Sequence, residues 1–184
     1  MFATIISALF WYVLAFIFAG LEVEAEGKYG WAEKMPTWYR TRGIVARLYG
    51  LAMAGKPLTG YHSFMFFLPL LVFHAPFFMG VDWTAAKELV SLAMYFAWCP
   101  LWDFLWFVLN PAYGWANFSK AKVWWHARDK WLLGFPLGYY VAWAVSTGLA
   151  FAASHLAQDR QIMHNHGMML DLFVICTGVT IIFS

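Results

Sequence analysis

Asp103 lies inside an apolar run, residues 89–109, about two helical turns from its end. An unpaired aspartate at that depth costs roughly 2.5–3.5 kcal/mol to insert, so it is expected to face other helices and to have a partner. Candidate partners are scattered along the chain. Glu22, Glu24 and Glu26 follow the first apolar run in L-E-V-E-A-E-G, residues 21–27. Glu22 and Glu26, four apart, share a helix face, while Glu24 points elsewhere. His62 opens the second run. His126 and Asp129, three apart in V-W-W-H-A-R-D-K-W (123–131), would share the face of a helix.

Carboxylates and imidazoles drawn from several helices are what a metal site in a bundle needs. Iron or manganese takes a mixed oxygen and nitrogen set, and zinc takes histidine with carboxylate and keeps one position open. The expected ligands are Glu22, Glu26, His62, Asp103 and His126, and the expected cofactor is divalent iron, manganese or zinc. Asp103, His126, Glu22 and His62 equally suit acid–base catalysis, with a carboxylate fixing a histidine tautomer. No HExxH or ExxH pair is present, so the set matches no standard motif. The plain alternative is structural ion pairing, with Asp103 against Arg128 or Lys130 and the glutamates against basic residues of the connecting segments.

Two further groups carry chemistry of their own. His74, deep in V-F-H-A-P, is a candidate proton relay or ligand to a haem or chlorophyll-type pigment. Its simpler role is donation to a backbone carbonyl freed by Pro69 or Pro76. A secondary outward candidate site comprises His155, His164 and His166. Met163, Met168 and Met169 beside them would suit copper, and Asp171 would suit zinc. H-x-H is common in exposed loops, which is the bland reading of 155–167. Cys99 and Cys176 sit in apolar runs without metal spacing and read as buried thiols.

The elements that must position these residues are apolar and long. The 184 residues are 62% hydrophobic and 12% charged, against about 25% charged in soluble domains, so lipid is the expected solvent. The fold class expected is an all-α membrane protein. It is a polytopic bundle of four or five transmembrane helices in one domain, with interfacial helices on the cytoplasmic side. Spans are expected at about 4–21, 61–79, 89–109, 131–153 and 168–183, the last short for a crossing. No Lys or Arg precedes the first run, which favours a retained span over a cleaved leader despite the small-residue pattern at 23–25. Arg42 and Arg47 flank the apolar positions Ile44, Leu48 and Leu51, a pattern for a short helix lying in the interface. Trp31, Trp38, Tyr39, Trp124, Trp125 and Trp131 read as interface anchors.

With consecutive crossings, segments 22–60 and 110–130 share one side and hold ten of the twelve Lys and Arg residues; only Lys87 and Arg160 lie opposite. The positive-inside rule then places both segments in the cytoplasm and the N-terminus outside. All seven candidates from Glu22 to Asp129 gather at that cytoplasmic end. Membrane lipid is the expected partner, along with membrane proteins that pack on aromatic helix faces; a net charge of +2 without a basic aromatic groove excludes nucleic acid. Two functions follow. One is a metal-dependent enzyme acting on a lipid or hydrophobic substrate, with Arg42, Arg47 or Arg128 holding an anionic headgroup. The other is an accessory subunit of a larger membrane complex, contacting pigment or lipid. A transporter fits less well, because no inverted repeat is visible.

Overall fold

The computed structural model describes residues 1–184. It is all-helical, with six helices: α1 (Phe2–Glu26), α2 (Ile44–Ala52), α3 (Gly60–Phe78), α4 (Ala85–Leu109), α5 (Leu137–Ala157) and α6 (Gln161–Phe183). Four of them, α1, α3, α4 and α6, are long and apolar enough to cross a membrane. α5 is 21 residues long and carries no Asp, Glu, Lys or Arg, but Tyr, Trp, Ser, Thr and Gly dilute its apolar character.

α4 is the axis of the bundle, and α1, α3, α5 and α6 all pack on it. Its most apolar stretch is 61% buried, against 33% for α1 and 17% for α3 and α6. α1 meets it through Ala8, Ala15 and Ala19, small residues that let the two backbones approach. The aromatic core between them includes Phe18, Trp98 and Trp102. Tryptophan and serine side chains tie the helices by donating across to backbone carbonyls. Trp98 Nε1 donates to Trp11 O at 2.9 Å, Trp143 Nε1 to Ala97 O at 3.1 Å, and Ser146 Oγ to Ala93 O at 2.6 Å.

Helix ends follow local chemistry. Thr59 caps α3 and Thr84 caps α4, each hydroxyl accepting from an N–H in the first turn. Asn110 ends α4 just before Pro111. Its Nδ2 donates to Gly27 O at 2.8 Å, which fixes the end of α1 to the end of α4.

Several elements differ from their sequence expectation. Residues 131–136 are not helical but form a hairpin, β3 (Trp131–Leu132) against β4 (Phe135–Pro136). Its turn places Leu133 at φ 47° and Gly134 at φ 86°, and α5 starts only after Pro136. A second two-residue pair, β1 (Tyr39–Arg40) with β2 (Leu58–Thr59), folds the first long connection back to the start of α3. α6 begins at Gln161, so it has 23 residues where 16 were expected. Its polar first turns conceal it from a hydropathy reading. α2 forms where the short interfacial helix was expected and has no buried residue; Ile44, Val45, Leu48 and Leu51 are all exposed. The second connection holds only single 3-10 turns, at Trp115–Asn117 and Trp124–His126.

Candidate functional site

The buried face of α1 runs Ala8, Tyr12, Ala15, Ala19, Glu22, Glu26. Glu22 and Glu26 therefore continue an apolar stripe at helical spacing and are buried along with it. They are 7% and 6% exposed, whereas Glu24 faces outward. From α3, His62 meets them at 2% exposure. Its Nε2 lies 3.7 Å from Glu22 Oε1 and 3.5 Å from Glu26 Oε1. One ligand atom from each of the three lies within 4.8 Å of the others.

Neighbouring groups fix the orientation of the His62 ring. His62 Nδ1 contacts Thr59 Oγ1 at 2.8 Å, and the same oxygen accepts from His62 N–H. When Nδ1–H donates to Thr59, Nε2 turns a bare lone pair towards the two carboxylates, the outer-ligand arrangement of a metal-bound histidine. Glu26 Oε1 also accepts from Ala32 N–H. Two buried hydroxyls near the acids, those of Tyr49 and Tyr61, have no hydrogen-bond partner, and Trp102 Nε1 lies beside Glu22. Burial, then the Glu22 charge, pushes the Tyr49 phenol up, so it remains a neutral donor.

Asp103 and His126 stand apart from this group and form a second one. Asp103 does not pair with Arg128 or Lys130. Its carboxylate accepts from the Tyr139 hydroxyl of α5 and lies 3.3 Å from His126 Nε2. His126 Nδ1 hydrogen-bonds Asp129, and Lys56 Nζ lies 3.4 Å from Asp129 Oδ2 and 3.3 Å from His126 Nδ1. Burial alone would push His126 down. Hydrogen bonds to Asp103 and Asp129 outweigh it and raise its pKa above 6.5, favouring imidazolium. Asp129 is held below the usual aspartate value: burial would raise it, but the bond from His126 and the Lys56 charge prevail.

The two groups adjoin through Trp31. Its ring stacks on His62 at 4.1 Å between centroids, and Lys56 Nζ lies 5.0 Å over it. A cavity of about 900 Å³ opens beside them. Trp31, Tyr49, Lys56, Asp103, His126, Asp129 and Tyr139 line its polar end; Glu22, Glu26 and His62 lie behind that wall. Four carboxyl groups thus gather around one lysine and two imidazoles.

The other candidates are placed elsewhere. His74 Nδ1 lies 2.7 Å from Leu70 O and its Nε2 2.9 Å from Glu88 Oε1, so both ring nitrogens are engaged. Leu70 O is not a carbonyl freed by proline; Pro69 and Pro76 free those of Met65 and Val72. His155 is on α5 and exposed, and His164 is exposed on α6. His166 is buried, with Nε2 3.3 Å from Ser146 Oγ. These three form no cation-holding group with other acids, histidines or cysteines. Tyr139, Lys56 and Thr59 went unnoticed in the sequence. Only Thr59 left a signal there, as a threonine just before an apolar helix. Compared with known protein families, curated proteins and solved structures, the chain matches none.

Proposed function

We propose that this protein is a multi-pass membrane enzyme that acts on a lipid or other hydrophobic substrate at the cytoplasmic interface. A divalent iron, manganese or zinc ion would be held by Glu22, Glu26 and His62. The carrying observation is the adjacency of that buried three-residue group to a cavity lined by Asp103, His126, Asp129 and Tyr139. Structural pairing alone leaves the buried hydroxyls of Tyr49 and Tyr61 without a role.

The roles divide by position. Two carboxylates and one neutral imidazole balance a divalent charge and leave coordination positions free. Tyr49, which both lines the cavity and neighbours Glu22, is a donor facing the group from the substrate side. His126, clasped between Asp103 and Asp129, is the acid–base group. It passes a proton along the carboxylate–imidazole–carboxylate line, with Tyr139 donating to Asp103. The distribution of Lys and Arg supports an orientation with this end in the cytoplasm.

Elemental analysis of the full-length protein purified from metal-supplemented cells tests the reading. About one divalent ion per chain is expected, with His62→Ala or Glu26→Gln reducing it at least tenfold and Asp103→Asn retaining it. Wild-type protein that holds no metal as purified, and takes up none on reconstitution, contradicts the metal assignment.

A further inference from the structure

The same cavity reaches well beyond its polar end. α3 and α5 both pack on α4 but hardly touch one another, so a cleft stays open between them with α4 as its floor. Its walls are Phe66 of α3, Phe96 of α4, and Ala142 and Val145 of α5. From Asp103 to Phe96 along α4 is about 10 Å, and from Leu137 to Val145 along α5 about 12 Å, at 1.5 Å per residue. One leaflet contributes about half of a ~30 Å hydrocarbon core. With its polar end at headgroup level, a cleft of that length would reach most of the way to the mid-plane.

Its charge is graded as well. Lys56 is committed to Asp129, whereas Arg128 and Lys130, at the mouth, make no ion pair and are exposed. Arg128 Nη1 also lies close against the backbone at Gly55, where the chain turns from α2 towards Lys56. Two free cations above an apolar cleft match an anionic headgroup carrying a hydrocarbon chain.

We infer that this cleft is the binding site for an anionic amphiphile. Its phosphate-type headgroup would sit between Arg128 and Lys130, and one hydrocarbon chain would lie between α3 and α5, entering sideways from the bilayer. The inference rests on the enzymatic reading for the role of the ligand as substrate, but not for its binding. A phospholipid and a polyprenyl phosphate share this chemistry.

Native mass spectrometry of the full-length protein, released from nanodiscs, tests it. The arms are phosphatidylglycerol, phosphatidylcholine, a polyprenyl phosphate in phosphatidylcholine, and inorganic phosphate alone. Retained adducts are expected at least fivefold more often with the anionic lipid than with the zwitterionic one, and not with inorganic phosphate. The polyprenyl arm identifies which chain type is preferred. Ala142→Phe, which fills the cleft, should abolish the adduct while leaving bound metal and melting temperature unchanged. The double variant Arg128→Gln/Lys130→Gln should erase the headgroup preference. Equal retention of both headgroups by the wild type, or an adduct undiminished in a folded Ala142→Phe protein, overturns the inference. A wild type that retains the adduct but holds no metal would sink the enzymatic reading alone.

Discussion

His126 is the residue whose surroundings constrain it most tightly. Carboxylates contact both ring nitrogens, and its pKa lies above 6.5. A raised folded value means the network's stabilisation is complete below 6.5 and is lost as pH rises through the folded pKa. Asp129 works in the opposite sense. Its depressed value gives stabilisation that is complete above 3.8 and lost as pH falls through the folded value. The contribution of this network to melting temperature in detergent should therefore be greatest between about pH 4 and pH 6.5. Asp129→Asn should lower the His126 pKa observed by NMR. An unchanged His126 titration in that variant would show that the bond to Asp129 does not set it. Glu22 and Glu26 could be read from four-residue spacing, because helical periodicity is local. That His62 joins them, and that Asp103 takes Tyr139 and His126 over Arg128 or Lys130, depends on helix packing, which no local pattern encodes.

Short connecting elements hold the site together, and here single substitutions should be costly. Gly30 sits at φ +65° just before Trp31, and a Cβ there would run into the six-membered ring of Trp125. Gly30→Ala must displace the Trp125 ring or the loop that carries Trp31. A loss of roughly 1–3 kcal/mol is expected, as for other overpacked sites, read as a lower melting temperature. Asn110→Ala removes the bond to Gly27 O and the one from Ala112 N–H, together worth about 1–3 kcal/mol. Because Asn110 joins the end of α1 to that of α4, metal retention should fall with stability. Wild-type metal affinity in this variant would mean that Glu22 and Glu26 are held without that tie. Among the elements, α2 and α4 were legible because their apolar patterns are clean. The start of α5 was not, since W-L-L-G-F-P reads as apolar helix until Gly134 and Pro136 are given their turn geometry. The start of α6 was hidden because Gln161, His164 and Asn165 look like loop.

The whole molecule offers a test of orientation. Cysteine substitutions at Arg42 and at Arg160 should react with an impermeant maleimide from opposite sides, Arg42→Cys only when the cytoplasmic face is open. Labelling of both from one side would separate the helices from the assumed threading. The helical bundle was readable because apolar run length is a property of composition. Its partition into four strongly apolar helices and one more polar α5 was not, since Tyr, Trp and Ser inside α5 are satisfied by neighbours that the sequence does not reveal. The central claim is that the acid and imidazole groups at one end of this bundle do chemistry on a lipid-soluble substrate. Comparative lipid analysis of cells expressing the wild type or Asp103→Asn, at matched membrane levels, addresses it most directly. At least one hydrophobic metabolite should accumulate or vanish with the wild type and return to the empty-vector level with Asp103→Asn. Lipid profiles that coincide across wild type, variant and empty vector would contradict the claim.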